Sequence, residues 1–169
     1  KLTLVDAGTR SIQQMLLDGE LDIGVITTEN IPEELETDHL LDSEMVAVVS
    51  SEHALAKRES ISFDEFFDHD LIMFKPGYFH RDFIEDKAKQ HNREMQFSFE
   101  TNLLPMILSI VKNEFAITAL LELVTQNESD VVAVPFDDRV TLSLALAWRK
   151  DGYLSVADRT FIEYVKTYR

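Results

Sequence analysis

Leu2-Thr3-Leu4-Val5 mixes apolar and β-branched side chains and predicts a strand. After a turn at Gly8, Ile12, Met15 and Leu16 recur at i, i+3 and i+4, the spacing that gives a helix one buried face. Thr9 or Ser11 is placed to cap that helix, and Gly19 to end it in the left-handed conformation. Leu21 to Ile26 is an apolar run broken only by Asp22 and Gly24, as in a strand covered on both faces. Strand, helix and strand in so short a span predict a βαβ unit with a parallel sheet and a right-handed crossover.

Farther along, Met45 to Val49 reads as a short strand, Ser51 to Arg58 as a polar connection and Phe63 to Phe67 as a short helix. Leu71 to Phe74 is a buried strand that stops at Lys75-Pro76-Gly77, where proline and glycine force a turn. A helix follows from Phe79 to His91, with Phe79, Phe83, Ile84 and Ala88 inward, then a strand from Met95 to Phe99. Asn102 is placed to cap a helix over Leu103 to Val111 whose side chains are nearly all apolar, which predicts burial against more than one layer. Phe115 to Ala119 and Val131 to Val134 read as strands, with a helix near Leu120 to Gln126 between them. Thr141 to Trp148 is a long strand, and Ser155 caps a last helix expected to bury Ala157, Phe161, Tyr164 or Val165, and Tyr168.

Alternation of strands and helices argues an α/β fold. Two lobes are expected, one from residues 1–47 with 138–169 and the other from residues 48–137. The 169 residues suffice for a core, and no apolar stretch is long enough to span a membrane. The absence of cysteine removes disulfides and thiolate metal sites and suits a reducing cytoplasm. A formal charge of −15 repels phosphate backbones, so the chain should not hold DNA by itself. The stretch from Thr28 to Glu44, acidic at seven positions and basic at none, reads as solvated surface.

No motif of catalysis survives inspection. Glycines 8, 19, 24, 77 and 152 form neither a phosphate loop nor a dinucleotide fingerprint. Histidines 39, 53, 69, 80 and 91 have no ligand spacing on one helix face, and Asp68-His69-Asp70 reads as a solvated loop. Neither an enzyme, a cofactor nor a metal site is expected.

The segment Gly19-Glu20-Leu21-Asp22-Ile23-Gly24-Val25-Ile26 resembles the "GELDLAI" signature of LysR-type transcription regulators. Glu44 to Val49 followed by His53-Ala54-Leu55-Ala56 resembles that family's strand and its "HPLA" turn, with alanine for proline. Leu108 to Ile117 resembles its "LVAAGLGI" segment, with Glu114 and Phe115 where the family has glycines. The order holds over nearly the whole chain, through to the last helix at Leu154 to Tyr168. The resemblance implies a periplasmic-binding-protein-like (type 2) fold, two lobes around a ligand cleft. It also implies a further strand and helix ahead of Lys1, a DNA-binding helix-turn-helix domain before those, and assembly into dimers or tetramers. A small-molecule effector would be sensed in the cytoplasm. The alternative is a solute-binding protein of a transporter with the same fold.

Ligands of open α/β sheets bind beyond the carboxyl ends of strands, where helix N-termini present amides. That rule selects Thr9 and Arg10, Thr27 and Thr28, then Phe74, Lys75, Gly77 and Tyr78, and lastly Thr101, Asn102 and Leu103; the resemblance adds Thr118. Each has a plainer reading: Thr9 and Asn102 as helix caps, Arg10 and Lys75 as solvated charges, Phe74 and Tyr78 as core aromatics. Arg10, Lys75 and Arg81 near helix N-termini suggest a small organic anion.

Overall fold

Gly24 explains the packing of the first helix. A Cβ there would lie 2.5 Å from Ile12 Cγ2, so only glycine lets strand β1 (Gly24–Thr27) meet helix α1 (Thr9–Leu17) this closely. Helix α1 buries Leu16 and ends at Gly19, whose φ of +73° lets the Glu20 amide donate back to the Met15 carbonyl. Neither Thr9 nor Ser11 caps it: Gly8 is the N-cap, and Thr9 is already the first helical residue.

A computed structural model describes residues 2–167 in two compact units, the first running up to Asp42 and resuming at Leu142, the second from Ser43 to Thr141. In unit 1, β1 pairs antiparallel with β7 (Thr141–Arg149), Gly24 opposite Ala147 and Thr27 opposite Leu144. The expected βαβ unit is therefore not formed. Leu2 to Val5 has no strand partner among the described residues, and Leu2 and Leu4 are 70% and 83% exposed. An extended segment without a ladder is not a strand, whatever its side chains favour. Leu16, Ile26, Leu35 and Ala147 form one apolar cluster of this unit.

Strand β2 (Leu35–Ser50) is much longer than the apolar run at its end, beginning inside the acidic stretch. Its burial alternates loosely through Glu44 and becomes continuous from Met45. In unit 2 that buried half pairs antiparallel with both β5 (Thr118–Leu121) and β6 (Val131–Pro135). A short 3₁₀ turn, Ala54–Lys57, stands within the predicted polar connection. Helix α2 (Phe63–Phe67) is capped by Ser62, whose hydroxyl accepts from the Glu65 amide at 3.1 Å. It buries Phe63, Phe66 and Phe67 against Phe136; the Phe63 and Phe136 rings stack at 4.1 Å between centroids.

Strand β3 (Leu71–Met73) runs parallel to β4 (Phe97–Glu100), with a bulge between Leu71 and Ile72. Between them lies α3 (Phe79–Gln90), and after them α4 (Leu104–Lys112). Helix α4 does not have the all-round burial its composition predicts. Ile107, Leu108 and Val111 enter the core with Val46, Ile72 and Leu120, while Leu103, Met106 and Phe115 are largely exposed. The fifth strand accordingly starts at Thr118 rather than Phe115. Glu114, with φ of +59°, makes the turn where the related motif has glycine, and it aims Phe115 outward.

The remaining helices are α5 (Glu122–Thr125) and α6 (Val156–Thr167). Ser155 does cap α6: its hydroxyl accepts from the Asp158 amide at 3.2 Å, and Asp158 accepts from the Ser155 amide at 2.8 Å. Among the described residues the buried side chain of α6 is Ile162, while Ala157, Phe161 and Tyr164 face outward. Tyr168 lies outside the described residues. Lys166 pairs with Asp38 and ties α6 to β2 within unit 1.

Candidate functional site

The parallel pairing of β3 and β4 decides which candidates meet. Met73 stands opposite Glu100, so the loops leaving the two strands start side by side. The Thr101 amide donates to the Met73 carbonyl at 3.1 Å, and the Lys75 amide donates to Asn102 Oδ1 at 3.1 Å. Asn102 is thus not a helix cap but a clamp between loops. The N-cap of α4 is Leu103, whose own amide donates to Thr101 Oγ1 at 3.2 Å. Pro105 in the first turn costs nothing, because first-turn amides have no intrahelical acceptor.

On the other loop, Tyr78 is the N-cap of α3, and its ring stacks on Phe74 at 5.3 Å with 10° between planes. Gly77 takes φ of +93°, which favours glycine, and its amide donates to Asp82 Oδ1 at 3.3 Å. Phe74 is buried in an apolar cluster of unit 2, as its plainer reading held, and Lys75 is exposed. Thr118 is fully buried and its hydroxyl points at Met73 Sδ, 3.9 Å away. It underlies the β3 loop and offers nothing to solvent. Phe74, Lys75, Tyr78, Thr101, Asn102 and Leu103 therefore form one rim in unit 2, with the N-termini of α3 and α4 in it.

The unit 1 candidates are described separately. Thr9 opens α1 and is half-buried, and Arg10 is exposed. Thr27 is buried on β1, and Thr28 is exposed, its amide donating to the Ser143 carbonyl at 3.0 Å. Gln13 Nε2 donates to the Asn30 carbonyl at 3.4 Å, which links α1 to the loop after β1.

Beneath the unit 2 rim lie two residues whose burial the sequence did not predict. Arg81 is buried, not a rim cation: it pairs with Glu85 at 2.5 Å and Glu100 at 2.9 Å, reaches the Phe74 carbonyl at 3.4 Å and lies 4.0 Å over the Phe97 ring. It is buried beneath the loops, so the exposed basic side chain of this rim is Lys75. His80 is buried between Phe74 and Phe79, with centroids at 4.9 and 3.8 Å, and neither ring nitrogen has a hydrogen-bond partner. Burial pushes its pKa down to about 3, so the imidazole is neutral. The nearby Glu85 and Glu100 were a signal for Arg81, but nothing local marks a histidine for burial.

The His53 and His69 rings meet edge to face at 5.3 Å. Among the described residues no group of three or more His, Cys, Asp or Glu side chains gathers as a metal site would require. No helix among them is long and apolar enough to cross a membrane.

The family model described as LysR substrate binding domain matches residues 1–169, and the chain belongs to that family. Its fold is the α/β, type 2 periplasmic-binding-protein-like fold of LysR effector-binding domains. The HTH-type transcriptional regulator YwbI of Bacillus subtilis (strain 168) is 27% identical over 168 residues, 98% of this chain and 56% of the regulator. The malolactic fermentation system transcriptional activator of Lactococcus lactis subsp. lactis (strain IL1403) is 22% identical, over 98% of this chain and 59% of its own length. The chain thus spans less than three-fifths of these curated relatives, which are transcription regulators and not enzymes. The regulatory domain of Synechocystis PCC6803 CcmR in complex with 2-PG superposes with a TM-score of 0.87 at 20% identity, covering 99% of this chain and 83% of that one. The effector-binding domain of QuiR in complex with shikimate gives 0.80 at 21%, covering 95% and 78%. At such identities the likeness is one of fold.

Proposed function

We propose that this chain is the sensing domain of a LysR-type transcription regulator and that its effector is a small organic anion. The family match along the whole chain carries the reading. The CcmR and QuiR domains hold 2-PG and shikimate in their complexes, which supports a small polar ligand here. In unit 2 the proposed contacts are Lys75, Gly77, Tyr78, Thr101, Asn102 and Leu103, with Phe74 and Thr118 beneath them. In unit 1 they are Thr9, Arg10, Thr27 and Thr28. The N-termini of α3 and α4 carry partial positive charge, and with Lys75 they favour a carboxylate or phosphate in a protein whose net charge is otherwise −15. Binding would bias the arrangement in which a DNA-binding segment outside this chain meets its operator, as dimers or tetramers in the cytoplasm. The transporter alternative has no support among the curated relatives, which are transcription regulators.

A thermal-shift screen of small carboxylates and phosphate esters against neutral and cationic metabolites tests this reading. Anions alone should raise Tm, and Thr101→Val or Thr9→Val should reduce the shift. Stabilisation confined to neutral or cationic compounds would contradict it.

A further inference from the structure

Helix α4 borders a groove in unit 2 of about 310 Å³, lined by Leu104, Pro105, Leu108, Ser109, Lys112, Asn113 and Glu128. We propose that this groove binds a free aliphatic α-amino acid, at a site separate from the rim at the start of α4. The volume lies at the small end of the roughly 300–1,000 Å³ usual for small-molecule pockets, so the occupant has few heavy atoms. Its lining is ordered along the helix. Leu104, Pro105 and Leu108 make an apolar floor, and the polar groups gather at the far end, Lys112 being about 12 Å along the axis from Leu104.

The charges at that end select the ligand. Lys112 Nζ and Glu128 Oε2 pair at 2.9 Å, and the two side chains are only 29% and 33% exposed. One cation and one anion side by side, partly withdrawn from water, match the ammonium and carboxylate of a zwitterion in reverse order. The ligand carboxylate would accept from Lys112, and its ammonium would donate to Glu128, each as a charge-assisted hydrogen bond. The Asn113 amide nitrogen is already committed to the Ser109 carbonyl at 2.8 Å, which leaves its Oδ1 as an acceptor for the same ammonium. Partial negative charge at the C-terminal end of α4 favours the ammonium as well. A simple anion would meet Glu128 and that helix end, and a simple cation would meet Lys112; a zwitterion meets neither mismatch. The apolar floor then takes the aliphatic side chain.

Calorimetric titration of the 169-residue chain with L-leucine, N-acetyl-leucine and leucinamide tests the assignment. Leucine should bind one to one, and each blocked derivative should bind about tenfold more weakly or worse, since each has lost one of the two charge-assisted contacts. Lys112→Gln and Glu128→Gln should weaken leucine to the same degree, and Ser109→Trp, on the exposed wall, should abolish binding with Tm unchanged. None of the three should alter the response to the anionic effector, so this proposal and the one above fail separately. Three results would overturn it: no heat from leucine, valine or methionine up to about 10 mM; equal affinity for leucine and N-acetyl-leucine; or leucine binding lost in Asn102→Ala but intact in the groove variants.

Discussion

Phe63, Phe66, Phe67 and Phe136 in unit 2 are almost fully buried, whereas Phe161 and Tyr164 in unit 1 are 39% and 58% exposed. The sequences around both groups have amphipathic spacing, so local pattern does not separate them. What differs is the surface opposite. Helix α2 lies over Phe136, which leads out of a strand paired along β2, and every ring finds another ring. Strand β1, by contrast, ends the strand order of its sheet, and Leu2, Leu4 and Val5 of the same unit are exposed. Apolar periodicity reports which face would gain from burial; a second element must still supply the cover.

Four substitutions or conditions sharpen that contrast. Phe66→Ala should cost about 3–5 kcal/mol by urea denaturation, because the cavity is walled by Phe67 and Phe136 and cannot collapse. A loss under about 1 kcal/mol would mean the cluster is loosely packed. His80, packed on Phe74 and Phe79 elsewhere in unit 2, makes that part of it sensitive to acid. Its folded pKa of about 3 lies below the ordinary 6.5, so its contribution is present above pH 6.5 and is lost as pH falls toward 3. At pH 5 the loss relative to neutral pH should be about 2 kcal/mol, and His80→Met should remove that part of the pH dependence. Equal slopes for both proteins would show that His80 is not the titrating group. In unit 1, Ser155→Ala removes a capping hydroxyl and should cost about 1 kcal/mol. Phe161→Ser should change stability by less than about 0.5 kcal/mol; a larger loss in the isolated chain would show that its ring is covered in solution.

Elements whose signals are local were legible from the residues. Ser155 caps the last helix because a hydroxyl at that position meets the amide three residues on, and Pro76-Gly77 ends a strand because of its own backbone preferences. Features that depend on distant partners were not. The acidic beginning of β2 is strand because β7 lies beside it, not because Glu36 or Asp38 favours that conformation. Asn102 has the chemistry of a cap, yet its oxygen is claimed by Lys75 from another loop. Arg81 was placed on the rim by its position near a helix start, and Glu85, Glu100 and the Phe97 ring draw it inward instead. The strand-end rule selected residues on two loops that do start side by side, because strand ends are set by sheet geometry and not by side-chain orientation.

The proposed effector site stands or falls with those two loops. An ¹H–¹⁵N NMR titration of the chain with an anion that raises Tm tests this most directly. The largest shift changes should fall on the amides of Lys75, Gly77, Tyr78, Asn102 and Leu103, and Asn102→Ala should diminish them by releasing Lys75. Changes that leave residues 74–78 and 101–103 unmoved while others respond would contradict the assignment.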